Sequence, residues 1–368
     1  MTAEDRYRVL VVDDDPDVAE LTRTVLERRI GCEVLVLGEP GPVAALAAQF
    51  RPDVVVTDIE MPGMTGLELL GILREQQPGI PVIVMTAHAS ADYAIRALRG
   101  QADEFLTKPA SSTELAAAVT RLAAQWRGRR ADEGELARAA DVQRGLLPQR
   151  LVDLPGYQLA GGCTPARAVG GDFFDWYPTA GGASFTLADV MGKGIGSAII
   201  AAAVRAMLRS ELARDDLAVG FAAAASRLET DLERAGSFVT VFHASIDVGS
   251  GAVRYVDAGH GLSLLVKASG GVRRLATTSL PFGLPLEAGT HTGWREHVFT
   301  LEPGDTLVSA SDGVLDLYDG TLASLDRVEE LARSAPDAQA VVDALMGLAA
   351  SGAPDDVTVV ALRRDPVA

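Results

Sequence analysis

Over the first 127 residues, short apolar runs alternate with helix-patterned stretches in a rhythm that few folds accept. RVLVV, CEVLVL, DVVVTD, PVIVMT and DEFLT are strand candidates, and the stretches that begin near Pro16, Pro42, Gly66, Ser90 and Ser112 are helix candidates. Alternating βαβ units of this length imply a parallel sheet covered by helices on both faces. In such sheets the carboxyl ends of the strands carry the site.

The polar residues fall at those ends. Asp13 and Asp14 close the first run, Asp58 the third and Thr86 the fourth, and Lys108 with Pro109 follows the fifth. Three carboxylates, one lysine and one hydroxyl make a cradle for Mg²⁺ and a phosphoryl group: the metal neutralises the acids, and the lysine pairs with the incoming phosphate. Other readings exist residue by residue. DDDPD is a possible calcium loop, although Val18 stands where an EF-hand needs glycine and Thr24 where it needs Glu. It is also a possible solvated charge run. Lys108 alone is a surface lysine, Thr86 a strand terminus and Phe105 a half-buried ring. The joint spacing favours the functional reading. VVDDDP, VTDIEMPGMTGLEL, VMTA and FLTKP together resemble the receiver domain of bacterial two-component response regulators, a doubly wound, five-stranded, flavodoxin-like α/β fold. The resemblance implies that Asp58 accepts phosphate from a histidine kinase. It implies that Asp13 and Asp14 hold Mg²⁺ with help from Asp58 and the Glu60 carbonyl. Thr86 and Lys108 would contact the phosphoryl group, and Phe105 would be the switching aromatic.

The second half is organised by four acidic turns. Asp172 lies in GGDFFD, Asp189 in ADVMGKG, Asp312 in SASDGV and Asp355 in APDDVTVV, each beside a strand-like run. Glycines around the first two let the backbone come close to an ion, so that a carbonyl near Val190 can join the carboxylates. Four converging carboxylates repel and raise one another's pKa. A pair of hard divalent cations relieves that, and oxygen-only ligands favour Mg²⁺ or Mn²⁺. Two such ions, roughly 3.5–4 Å apart, share a water, lower its pKa and hold a phosphate for in-line attack. The plain alternative is that each Asp-Gly pair is only a turn. GKG is no Walker loop, because Leu187 sits where that motif needs its first Gly. It is no dinucleotide fingerprint either, since Ser197 replaces the last Gly.

GGDFFD, ADVMGKGIGSA, SASDGV and PDDVT occur in the order that resembles the metal-dependent protein phosphatase superfamily (protein phosphatase 2C-like), in its bacterial sporulation stage II-E type branch. LLPQR, FVTVFHASID, YVDAGHG and PFGL resemble the same branch, and the likeness runs from Asp141 to about Arg364. It implies an α-β-β-α sandwich. Asp189 would bridge two metals, with Val190 lending its carbonyl. Asp312 and Asp355 would complete one metal site, and Asp172 would hold the other side. Asp356 reads as a strand-entry residue beside the ligand, with the reverse assignment open. His260, Asp175 and Asp257 read as supporting residues, and Phe173, Phe174 and Trp176 as core. Helices are expected near Ser197–Leu212, Asp216–Arg234, Ser324–Ser334 and Asp337–Ala350. Strands are expected near Phe238–Asp247, Ala252–Ala258, Leu262–Lys267, Val298–Leu301 and Val357–Leu362.

Between the halves, SSTELAAAVTRLAAQW opens with N-capping hydroxyls and continues through a polar stretch to Pro148. The expected division is a receiver over 1–127, a helical linker over 128–148 that can pair with its twin in a homodimer, and a phosphatase over 149–368. The formal charge of −17 argues against a nucleic-acid surface. Cys32 and Cys163 form no CxxC pair, which suits a reducing cytoplasm. The five histidines lack zinc spacing, MTAEDRYR is too charged for a signal peptide, and no stretch suits a bilayer. The function expected is a response regulator with a Mn²⁺- or Mg²⁺-dependent serine/threonine phosphatase as output, acting on a phosphorylated anti-sigma-factor antagonist in partner switching. The alternative is a non-catalytic, phosphatase-like adaptor.

Overall fold

The computed structural model describes residues 6–87, 102–150, 152–212, 216–275, 277, 279–284 and 293–366. The chain divides into two compact units, Met1–Glu135 and Leu136–Ala368. Among the described residues no helix is long and apolar enough to cross a membrane.

In the first unit the elements are β1 (Arg8–Val12), α1 (Pro16–Ile30), β2 (Glu33–Leu37), α2 (Val43–Phe50), β3 (Val54–Asp58), α3 (Gly66–Gln76), β4 (Val82–Thr86), β5 (Glu104–Thr107) and the start of α4 (Ser112–Leu146). The stretch expected to begin a helix near Ser90 lies outside the described residues. The strands pair in parallel in the order β2-β1-β3-β4-β5. Successive strand side chains point to opposite faces. Val9, Val11, Val54 and Val56 therefore pack with Leu26, Leu115, Val119 and Leu122 on one face. Leu10, Val12, Val55 and Val84 pack with Val43, Leu69, Leu70 and Leu73 on the other. Local signals set the helix ends. The Asp15 carboxylate accepts from the N–H groups of Asp17 and Val18 at the head of α1, and Gly31 closes it at φ 67. Thr65 and Glu68 form a capping box on α3.

The second unit contains β6 (Tyr157–Thr164), β7 (Phe173–Thr179), β8 (Gly182–Val190), α5 (Ile195–Glu211), α6 (Leu217–Ala235), β9 (Val239–Asp247), β10 (Ala252–Ala258), β11 (Ser263–Val266), β12 (Val272–Arg274), β13 (His297–Thr300), β14 (Thr306–Ala310), the single turn α7 (Gly313–Asp316), α8 (Leu325–Ser334), α9 (Ala338–Ala349) and β15 (Val357–Arg364). Two antiparallel sheets result, β13-β10-β9-β8-β7 and β12-β11-β14-β15-β6. Phe185, Phe242, Trp176, Leu307, Val360 and Leu362 fill the space between them. Outside, α5 and α6 bury Val204, Leu208, Phe221 and Leu228 against the first sheet. On the far side, α8 and α9 bury Val328, Val341, Val342 and Leu345 against the second. The layers are α-β-β-α.

The strand over YQLAGGCT is not evident from its sequence, because Gly161 and Gly162 read as strand breakers. Both faces of β6 are crowded instead. A Cβ at Gly161 would lie 2.8 Å from the Phe174 ring, and one at Gly162 would lie 2.6 Å from Met346 Cγ. Glycine here admits its neighbours rather than ending the strand.

Candidate functional site

The register of the first unit gathers its polar residues at one end of the sheet. Lys108 Nζ lies 2.6 Å from Asp13 Oδ2 and 3.1 Å from Asp58 Oδ2. The Lys108 N–H donates to the Thr86 carbonyl at 2.6 Å, and Thr86 itself is buried. Asp13, Asp14 and Asp58 have carboxylate oxygens that all lie within 4.8 Å of one another, a separation that suits one cation. Burial raises the Asp58 pKa against the opposing pull of Lys108. Burial also pulls Lys108 down, but Asp13 and Asp58 outweigh it and its pKa is raised. Glu60 lies exposed two residues beyond Asp58, and Phe105 is half-buried on β5.

In the second unit, topology brings the four acidic turns to one end of both sheets. β7 and β8 are antiparallel with Phe173 opposite Ala188, so Asp172 at the start of one strand meets Asp189 near the end of the other. β14 and β15 are antiparallel with Ala310 opposite Val359, so Asp312 and Asp355 come together beyond those ends. The four form a run of neighbours. Asp172 faces Asp189, Asp189 feels Asp312 and Asp355, Asp312 feels Asp355, and the neighbouring Asp356 acts on both Asp172 and Asp189. Asp172 is buried, Asp189 and Asp355 are half-buried, and Asp312 is exposed, so the run opens to solvent from its deep end outward.

The electrostatics follow from that crowding. Burial, then the Asp189 charge, holds Asp172 well above the usual carboxylate range. Burial, then Asp312, pushes Asp189 up to about 6. Partial burial and Asp355 raise Asp312. Asp172 Oδ2 is buried and no donor meets hydrogen-bond geometry with it, while the nearby Ser311 and Thr358 hydroxyls only partly offset the rise in the Asp172 pKa. A donorless buried carboxylate oxygen, within carboxylates that raise one another's pKa, is the oxygen-only chemistry that a hard divalent cation satisfies. The residues present therefore fit such ions. The packing is looser than in the first unit: among the described residues, Asp13, Asp14 and Asp58 alone close to within 4.8 Å as a group of three or more potential ligands. Asp355 is held instead by Lys193, whose Nζ lies 2.9 Å from its Oδ2 and donates to the Pro354 carbonyl at 2.8 Å.

Asp355 and its neighbour have different surroundings. Asp356 is buried and accepts from the N–H groups of Ala166 at 2.8 Å and Gly171 at 2.7 Å, tying both ends of the β6–β7 loop to the start of β15. Asp355 faces the acidic run. His260 is buried, with Nε2 3.2 Å from Ser309 Oγ, and Asp257 accepts from the His260 N–H at 2.8 Å. Asp175 is buried against Arg205 at 3.2 Å and Arg209 at 3.4 Å. Phe173, Phe174 and Trp176 are core. Burial pushes the Cys163 thiol up to about 12, which keeps it from acting as a nucleophile. Sequence reasoning passed over Lys193, set aside with the failed Walker loop, and Gln143, which lies five residues before Pro148 with no motif to mark it.

Residues 179–365, half of the chain, match the family profile described as Stage II sporulation protein E (SpoIIE). The chain belongs to the SpoIIE family. Residues 9–120 match the profile of the response regulator receiver domain. Among solved structures, this SpoIIE-family chain is similar to the RsbU and RsbW domains of Rv1364c from Mycobacterium tuberculosis. That match has 26% identity and a TM-score of 0.50, and it covers 59% of this chain and 62% of the other. The SiaA-PP2C domain of Pseudomonas aeruginosa, at 20% identity and a TM-score of 0.53, shares the fold over 65% of this chain and 99% of that domain. Among curated proteins, the DNA-binding response regulator MtrA of Mycolicibacterium smegmatis is 31% identical over 154 residues, which is 42% of this chain and 62% of MtrA. The probable transcriptional regulatory protein TcrX of Mycobacterium tuberculosis is 40% identical over 107 residues, 29% of this chain and 45% of TcrX. The chain thus spans less than two thirds of the length of these relatives.

Proposed function

We propose that this chain is a two-component response regulator whose output is a divalent-metal-dependent protein serine/threonine phosphatase. The observation that carries the reading is the run of Asp172, Asp189, Asp312 and Asp355 at one end of two stacked sheets, with a donorless carboxylate oxygen at its deep end. Those four carboxylates and the Val190 carbonyl are the groups that would hold two or more Mn²⁺ or Mg²⁺. Asp189, between Asp172 on one side and Asp312 and Asp355 on the other, would be the shared ligand. Cations bound there supply charge neutralisation for the phosphate and acidify water. The chain's own part is positional. Asp356 anchors the Gly171 loop through its N–H. Lys193 places a positive charge beside Asp355 at the open end, where a phosphate would approach.

In the first unit, Asp58 is the proposed acceptor of phosphate from a histidine kinase. Asp13, Asp14, Asp58 and the Glu60 carbonyl are the proposed Mg²⁺ ligands, Lys108 and Thr86 the phosphoryl contacts, and Phe105 the aromatic that repacks. Phosphorylation there would move the linker and so control turnover in the cytoplasm. Family membership supports a phosphorylated anti-sigma-factor antagonist as substrate. The linker part of α4, with Val142 66% exposed, is the proposed surface for homodimer pairing.

The test is hydrolysis of p-nitrophenyl phosphate and of a phosphoserine protein by the full chain with Mn²⁺, with EDTA and as Asp189→Ala. Turnover that requires Mn²⁺ and disappears in the variant is expected. Turnover indifferent to EDTA, or equal in Asp189→Ala, would overturn the reading.

A further inference from the structure

The side-chain amide of Gln143 closes on the backbone of a single residue. Its Nε2 donates to the Gly170 carbonyl at 2.7 Å, and its Oε1 accepts from the Gly170 N–H at 3.1 Å. A side chain that satisfies both backbone groups of one residue fixes that residue in position and in tilt. Gly170 has no room for a side chain, since a Cβ there would lie 2.2 Å from Asp356 Oδ2. The next residue, Gly171, donates to Asp356 Oδ2 at 2.7 Å. A Cβ on Gly171 would lie 2.4 Å from the Val190 carbonyl oxygen. Asp172 follows. The backbone clamped by Gln143 therefore leads directly into the acidic run and lies against the carbonyl proposed to join it. The clamp sits on the last turns of α4, and just beyond it Leu147 packs into both the inter-sheet core and the α5–α6 core.

We propose that Gln143 is a positioning residue for the carboxylate centre: through the Gly170 backbone it holds Asp172 and the Val190 carbonyl in the arrangement that takes divalent cations. The proposal rests on the phosphatase reading of that centre. It adds a residue that touches neither cation nor substrate, and a physical route by which the end of α4 bears on both.

The full chain is compared with Gln143→Met, which keeps the length and loses both hydrogen bonds, and with Gln143→Glu, which keeps the acceptor and turns an oxygen towards the Gly170 carbonyl. Three quantities are read: Mn²⁺ affinity by calorimetry, hydrogen exchange of the Gly170–Asp172 amides, and kcat against KM for p-nitrophenyl phosphate. In Gln143→Met the Mn²⁺ dissociation constant is expected to rise roughly 10-fold or more. The Gly170 amide is expected to exchange faster, and kcat to fall with KM little changed. Gln143→Glu should fall between that variant and wild type. A folded Gln143→Met with wild-type Mn²⁺ affinity and exchange overturns the proposal, because a merely structural residue would change stability alone. If Gln143→Met does not fold, the same comparison is made on Gln143→Glu. A wild-type chain that binds Mn²⁺ without turnover sinks the phosphatase reading, whereas the exchange and affinity measurements still decide the clamp.

Discussion

At the scale of single residues, burial and charge set what each group can do. His243 is fully buried, with Nδ1 2.7 Å from Thr186 Oγ1 and Nε2 without a partner. Burial lowers its pKa to about 3. The folded pKa therefore lies below the unfolded value of about 6.5, and between them only the unfolded chain takes up the proton. The stability this contributes is complete above about pH 6.5 and is lost as the pH falls, at about 1.4 kcal/mol per pH unit. Urea unfolding at pH 7, 6, 5 and 4 should show a steeper loss for wild type than for His243→Leu, and equal slopes would count against the buried, neutral histidine. The two adjacent acids at the start of β15 make a second residue-scale prediction. Asp355→Asn should lower turnover with little loss of stability. Asp356→Asn weakens two charge-assisted backbone hydrogen bonds and should lower the unfolding midpoint. Thermal unfolding beside hydrolysis rates separates them.

At the scale of elements, one helix contains two glycines with opposite roles. Gly66 opens α3 where a Cβ would lie 2.1 Å from the Asp58 carbonyl oxygen, whereas Gly71, in the middle of the same helix, has nothing within 4 Å. Gly66→Ala should destabilise by about 1–3 kcal/mol through overpacking. Gly71→Ala, exposed and helical, should stabilise by about 0.5–1 kcal/mol. Denaturant unfolding of the pair tests whether close backbone approach beside Asp58, rather than helix propensity, governs the first site. The hairpin of β7 and β8 works in the same manner on the other side of the chain. Its pairing of Phe173 with Ala188 makes Asp172 and Asp189 neighbours, and a slip of one residue would separate them.

At the scale of the whole chain, the proposal is that the state of Asp58 governs the carboxylate centre. Beryllofluoride, a phosphoryl mimic, should raise Mn²⁺-dependent turnover of the full chain. Asp58→Ala should keep basal turnover and lose the response. A mimic that leaves the rate unchanged in wild type would remove the receiver from the control of this activity.

The parallel sheet, its strand-end acids and the helices on either side were legible because period-2 and period-3.6 patterns and cap residues are local signals. The same holds for α5, α6, α8 and α9 and for β9, β10, β11, β13 and β15, whose limits lie within a few residues of those expected, whereas the three-residue strand β12 was not expected. β6 was hidden because its two glycines serve neighbours contributed by β7 and α9, about which local sequence is silent. The four acidic turns could be seen one by one, and a family resemblance supplied their grouping. Their order along a run, with Asp172 deep and Asp312 at the surface, depends on which strands pair and which sheets stack. So do the different surroundings of Asp355 and Asp356, the ion pair of Lys193 and the hold of Gln143 on Gly170. Residue type and spacing alone determined which segments could become strands, helices and acidic turns, since those follow from backbone geometry over a few residues. Which acids face one another, and which side chains fix them there, was decided only in the folded chain, because those contacts join residues far apart in sequence, up to 190 positions between Ala166 and Asp356.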